Sequence, residues 1–248
     1  MNIFKRILGH VYFFYGILLF CITMLVVIIP TGISLLYSDP RRSRISYNAF
    51  RIWMGIYMPL VFCPVRRKGK EHFKKGENYV VVINHNSFVD IPVSSPWVPG
   101  PNKTLAKSEL AKIPLFGIIY RSGSILVNRK DEHSRKESFT RMQEALKKGL
   151  HLTLYPEGTR NKTDEPLQPF FDGAFITAIR AQKPVIPGII FGTKAILPLK
   201  PKLWAWPHRI DFHFLEAIPT KGLGMSDRKE LKDHVYQVMK DYIIAGKR

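Results

Sequence analysis

His85 and Asp90, in the stretch Asn84-His85-Asn86-Ser87-Phe88-Val89-Asp90, are the residues of this 248-residue chain best suited to acid–base work. Histidine has the side chain whose unperturbed pKa lies nearest neutrality, and a buried carboxylate can fix its tautomer. On a regular helix, residues five apart are separated by about 140°. For the two to touch, His85 must sit in a turn or at the first helical position, with Asp90 one turn on. By itself the spacing is a weak signal, since the chain has eight histidines and chance can supply it.

The surrounding elements give the pair its context. Tyr79 to Ile83 is a β-branched apolar run of the kind that forms a fully buried strand. Further strands are expected at Ser124–Asn128, His151–Tyr155, Pro184–Phe191 and His208–Leu215. Leu105–Tyr120 reads as helix and turn. Ser134-Arg135-Lys136-Glu137 has the form of a capping box for a helix ending at Gly149. A further helix is expected at Gly173–Gln182, and a last amphipathic one is capped by Ser226. Strands alternating with helices predict an α/β fold, a mostly parallel sheet flanked by helices.

Three of these strands lead into polar residues at their carboxyl ends: Asn84 to Asp90, Arg129, and Glu157 to Arg160. In open α/β sheets ligands bind at that edge. Arg129 and Arg160 present planar forks that match phosphate oxygens. Gly158 permits close backbone approach to an anion, and Glu157 is expected to hold an arginine in place. Ser87 could be a nucleophile, although capping the helix that carries Asp90 is the simpler role. There is no Gly-x-Ser-x-Gly elbow, and Cys21 and Cys63 lie in apolar segments without metal-ligand spacing. No metal or cofactor is expected. If His85 is a base with no nucleophile in the enzyme, the attacking hydroxyl belongs to the substrate.

Residues 1–65 have a different character. Val11 to Tyr37 carries no charge, and Val11 to Ile29 is long enough to cross a bilayer before Pro30 interrupts the apolar run. It is too long for a signal-peptide core and lacks a cleavage site. A weaker apolar segment runs from Ile45 to Val65. Lys5 and Arg6, then Arg41, Arg42 and Arg44, then Arg66, Arg67 and Lys68 flank the two segments. A single span would leave one basic cluster on the wrong side. A hairpin seated in one leaflet of the cytoplasmic membrane brings all three to anionic headgroups, with the following domain on the cytosolic face. Arg66–Asn78 is expected to link this anchor to a catalytic domain over 66–248. The formal net charge of +19 comes mainly from a shortage of acids, 19 against 38 basic residues, and implies an anionic partner. Nucleic acid would be one, but it gives no reason for arginines at strand ends.

Taken together, Asn84-His85-x4-Asp90, Gly123-x5-Arg129, Tyr155-Pro156-Glu157-Gly158-Thr159-Arg160 and Pro184-Val185-Ile186-Pro187 resemble the four ordered motifs of the glycerolipid acyltransferases. The similarity is greatest to the 1-acyl-sn-glycerol-3-phosphate acyltransferases and covers roughly residues 70 to 190. Tyr155 stands where phenylalanine is more usual. The resemblance implies a glycerol-3-phosphate acyltransferase-like αβα fold and transfer of an acyl chain to the sn-2 hydroxyl of lysophosphatidic acid. The donor would be an acyl thioester of acyl carrier protein or coenzyme A, and the product phosphatidic acid. It further implies His85 as general base and Asp90 as its orienter. Asn84, Arg129, Glu157, Gly158, Thr159 and Arg160 would lie at the acceptor, and Lys107 would stabilise the oxyanion. Membrane phospholipids would be partners and nucleic acid would not. Another lysophospholipid acceptor, or a Ser87-dependent lipid hydrolase, is the alternative.

Overall fold

The computed structural model describes residues 2–246. Two long helices, α1 (Ile3–Ser34) and α2 (Arg41–Leu60), lead into β1 (Val65–Lys68), β2 (Val80–Ile83), α3 (Asp90–Trp97), β3 (Asn102–Lys107) and α4 (Phe116–Gly123). There follow β4 (Ser124–Val127), α5 (Glu132–Lys147), β5 (His151–Leu154), α6 (Gly173–Ala181), β6 (Val185–Phe191), the one-turn α7 (Thr193–Ile196), β7 (Ile210–Phe214) and α8 (Arg228–Ile244). The strands form one sheet in the order β1-β7-β6-β2-β5-β3-β4. Every pairing is parallel except β6 with β7. The expected α/β architecture with a mostly parallel sheet is therefore present.

β2 lies mid-sheet and is buried on both faces, as its unbroken run of Val and Ile requires. Alternation sends Tyr79, Val81 and Ile83 into one core and Val80 and Val82 into the other. The second core is closed by α5, α6 and α8. The first is closed by α2 and α3 together with Met24 and Val27 of α1. The N-terminal helices thus share a core with the sheet.

α1 continues through Pro30, and its first turn begins well before Val11. Its apolar residues divide between two faces. Met24 and Val27 are buried, whereas Ile7, Val11, Phe14, Leu18, Ile22, Leu25 and Ile29 are exposed at helical spacing. Ile52, Ile56 and Leu60 extend this outward face onto α2. One long apolar N-terminal helix with so little of its most apolar stretch covered is consistent with membrane association. Polar contacts tie the helices together within the core: Trp53 Nε1 donates to Thr23 Oγ1 at 2.8 Å, and the Ser34 and Ser46 hydroxyls meet at 3.0 Å.

Several local expectations are corrected. Asn102–Lys107 is a strand, so only the first three residues of the helix and turn expected at Leu105–Tyr120 differ; a short 3-10 helix at Ser108–Lys112 and then α4 from Phe116 follow. The polar sequence of β3 hides it, because Lys103 is buried yet paired, and Thr104 bonds Ser124 across to β4. Arg66–Lys68 belong to β1, which pairs with β7 at the sheet edge, so the opening residues of Arg66–Asn78 are sheet rather than linker. Helix α5 is capped by Asp131, whose carboxylate accepts from the His133 and Ser134 N–H groups; the Ser134 hydroxyl instead accepts from Asn128 N–H. Ser226 makes no capping bond to α8, and Asp227 instead accepts from Gly224 N–H. Trp204 is buried and stacks on Trp206, with its indole against Gly9 of α1. That approach is too close for any Cβ at position 9.

Candidate active site

The stretch after β2 turns sharply before α3 begins at Asp90, which places His85 in the turn and Asp90 in the first helical position. His85 Nδ1 lies 2.9 Å from Asp90 Oδ2. The same oxygen accepts from the backbone N–H groups of Asn86 at 2.6 Å and Ser87 at 2.7 Å. Thr193 donates its hydroxyl to Asp90 Oδ1 at 2.5 Å. With Asp90 acting as acceptor throughout, the imidazole donates from Nδ1 and keeps its lone pair on Nε2. Asp90 is fully buried, whereas the His85 side chain retains 12% exposure, so the ring has access to a ligand and its orienter does not.

Tyr155, the last residue before the Pro156-Glu157-Gly158 turn, stacks under the His85 ring at 4.1 Å between centroids. Its hydroxyl donates to Ser94 of α3 at 2.8 Å, and burial pushes its pKa well above the ordinary value. It is a neutral platform, held by its stack on His85 and its bond to α3. Phenylalanine would supply the ring but not this bond.

Glu157 differs from expectation. Among the described residues its carboxylate meets no arginine; it accepts from His85 N–H at 2.7 Å and Gln168 N–H at 2.9 Å while only 2% exposed. Burial raises its pKa, and the two backbone donors oppose that rise. Asn161 N–H completes the clamp by donating to the His85 carbonyl at 2.6 Å. The loop after β5 therefore secures both backbone polar groups of His85. Asn84 is likewise engaged: its amide exchanges two hydrogen bonds with the Ile190 backbone, which locks β2 to β6, and the residue is buried.

The arginines do converge on this loop. Arg129 follows β4, three strands from β2, yet its Nη1 donates to the Gly158 carbonyl. The Arg160 guanidinium lies over the Phe88 ring at 3.6 Å from its centroid. Phe88 belongs to the His85–Asp90 turn, so Arg160 is brought beside that turn while Arg129 braces the loop that carries it. Gly158 adopts φ +67°, and a Cβ there would meet the Phe171 ring at 2.7 Å. Thr159 is exposed, and so is Lys107 at the carboxyl end of β3. Ser87 is 1% exposed; its hydroxyl donates to Leu197 O at 3.0 Å and accepts from Val89 N–H at 3.3 Å. With its proton given to Leu197, Ser87 is not aligned to pass one to His85. Among the described residues, no group of three or more His, Cys, Asp or Glu is placed to hold a metal ion.

Behind the turn lies an apolar cavity of about 350 Å³, lined by α1, α2, α3 and α4. Phe20, Trp53, Met58 and Phe116 form its walls, and Phe88 and Val89 form the side next to His85. The N-terminal helices therefore build part of this cavity. Tyr155, Thr193 and Asn161 were missed as supports by sequence reading. Gly192-Thr193 directly after β6 was a usable signal, since it too lies at a strand's carboxyl end.

Comparisons with known proteins agree on the family. A family model described as Acyltransferase matches residues 64–190. The chain is 35% identical to a putative 1-acyl-sn-glycerol-3-phosphate acyltransferase, acl-2, of Caenorhabditis elegans, over 64% of this chain and 57% of that one. It is 31% identical to 1-acyl-sn-glycerol-3-phosphate acyltransferase beta of Homo sapiens, over 65% and 58%. Identity to the 1-acyl-sn-glycerol-3-phosphate acyltransferase of Helicobacter pylori is 30%, over 66% and 68%. The match thus spans less than two thirds of the length of the first two relatives. Among solved structures, the 1-acyl-sn-glycerophosphate (LPA) acyltransferase PlsC of Thermotoga maritima shares the fold at a TM-score of 0.78 and 24% identity, covering 100% of this chain and 98% of that one.

Proposed function

The chain belongs to the Acyltransferase family, and from that premise we propose that it acylates the sn-2 hydroxyl of 1-acyl-glycerol-3-phosphate to give phosphatidic acid. The observation that carries the reading is the His85–Asp90 pair, bonded through Nδ1, with an apolar cavity lined by Phe88 and Val89 of the same turn. In this mechanism the acceptor hydroxyl gives its proton to His85 Nε2 as its oxygen attacks the thioester carbonyl carbon. The tetrahedral intermediate then collapses, the C–S bond breaks, and the departing thiolate takes the proton back from His85. Asp90 holds the ring and stabilises its cationic form. Arg160, with Arg129 bracing its loop, meets the acceptor's phosphate. Lys107 and Thr159 lie at neighbouring strand ends, Lys107 as the candidate for the oxyanion.

The cavity is suited to an acyl chain, because its walls are aliphatic and aromatic and its helices carry the outward apolar face. On this reading α1 and α2 are a hairpin seated in one leaflet of the cytoplasmic membrane, with the domain on the cytosolic side. Lysophosphatidic acid enters from the bilayer, and acyl carrier protein or coenzyme A delivers the donor. The test is purified protein with lysophosphatidic acid and either thioester, product being read by mass spectrometry. Phosphatidic acid formed by the wild type and lost in a folded His85→Ala variant is the expected result. Turnover that survives the substitution rules the mechanism out.

A further inference from the structure

A second cavity, of about 430 Å³, lies at the amino ends of β3 and β4, the end of the sheet opposite to His85. Its walls come from the α1–α2 turn, β3, the last turn of α4, and α5. Five cations line it: Arg42, Lys103, Arg121, Arg141 and Lys148. Asp39 and Glu144 oppose them within the lining and Glu137 pairs with Arg141 from outside it, which leaves an excess of two positive charges in one concavity. From these features we infer that the cavity is a binding site for a phosphomonoester, separate from the acyl-transfer site.

Lys103 is the floor of this site. It is 3% exposed, its ammonium donates to Ser122 O at 2.8 Å, and Asp39 lies 3.4 Å away. Asp39 is shared, since it also accepts from the Ser43 hydroxyl at 2.6 Å. Burial lowers the Lys103 pKa, Asp39 opposes that fall, and the charges of Arg42 and Lys148 add to it. A bound anion would offset both the burial and the repulsion. The rim is under-neutralised: among the described residues, no ion pair involves Arg42, Arg121 or Lys148. Arg42 and Arg121 each donate to a backbone carbonyl, Tyr37 O and Ala111 O, and keep other guanidinium donors available. A phosphomonoester carries roughly −1.5 to −2 at neutral pH and accepts bidentate arginine bonds, which suits an excess of this size. The cavity sits beside the turn that carries Leu36, 82% exposed, so either a lipid headgroup or a soluble phosphate could reach it.

Equilibrium dialysis of the full-length protein in neutral detergent tests the site, with radiolabelled dioctanoyl phosphatidate and inorganic phosphate as separate ligands. An Arg129→Ala/Arg160→Ala background removes the phosphate contacts proposed at the acyl-transfer site, so the result does not depend on that proposal. In this background, binding is expected to persist, and adding Arg121→Gln/Lys148→Gln should weaken it roughly tenfold or more. Arg121 and Lys148 are exposed, so folding should survive; an unchanged thermal midpoint checks this, and Arg121→Gln alone serves if the double change fails. Loss of binding of the lipid alone identifies a headgroup site, and equal loss of both ligands identifies a phosphate site. Affinity unaltered by these changes, or no binding of either ligand, overturns the inference.

Discussion

At the residue scale the site is a histidine fixed from three directions. Asp90 holds Nδ1, Tyr155 supports the ring, and Glu157 with Asn161 binds the backbone. If His85 takes the acceptor proton, His85→Ala should lower kcat by about 10²–10⁴ without unfolding the protein. Steady-state kinetics beside a melting curve check this. Asp90→Asn should also be severe, since an amide presenting N–H to Nδ1 favours the wrong tautomer. Glu157 acts through the backbone it holds. A glutamine can accept only at its carbonyl, so Glu157→Gln leaves one of two buried N–H groups unpaired at a cost of about 1–3 kcal/mol. Denaturant unfolding should show that loss together with a reduced kcat, because the unpaired group is either His85 itself or the loop that holds it.

At the element scale, strand ends decide which residues meet. β2, β5 and β4 are not all neighbours, yet their carboxyl ends face one side, and the loop after β5 bridges them through Gly158 and Arg160. Gly158→Val should therefore be damaging twice over. Its φ of +67° suits glycine, and its Cβ would strike the Phe171 ring. Displacing this loop moves Arg160 and breaks the Arg129 brace, so if the arginines hold the acceptor's phosphate, the expected signature is a raised KM for that acceptor, with a smaller change in that for the thioester. A comparison of the two KM values distinguishes this from general unfolding.

At the scale of the whole molecule, α1 and α2 are structural partners of the domain as well as its apolar face. Met24 and Val27 pack into the same core as Val81, Ile186 and Phe212. Removing residues 1–34 should uncover that core and the apolar cavity, leaving a chain that aggregates even in detergent; size-exclusion chromatography would show it. The interior also sets a pH limit. His151 is buried, accepts from Tyr79 N–H at Nδ1, and has its pKa depressed by burial to about 4. The unfolded chain takes up that proton at the ordinary value near 6.5. The contribution is complete above about 6.5 and is lost as pH falls towards 4, at most about 3 kcal/mol. Urea midpoints for wild type and His151→Asn, taken at pH 7 and pH 4.5, should converge at the lower pH.

The sequence by itself determined the class of fold and marked the candidates for chemistry. Apolar runs mark strands whatever packs on them, and polar residues just beyond those runs mark the ligand edge of a parallel sheet. His85, Asp90, Arg129 and Arg160 were legible for that reason. β1 and β3 were not, because their burial depends on distant partners: Lys103 reads as a surface residue until Ser122 and Asp39 satisfy it. Only the tertiary structure decided what each polar group is used for. Glu157 holds a backbone where an arginine was expected, Asn84 locks two strands, and Thr193 completes the shell of Asp90. Such assignments rest on hydrogen bonds between residues some seventy to more than a hundred positions apart. Local pattern carries no record of those bonds, since either partner would look the same without the other.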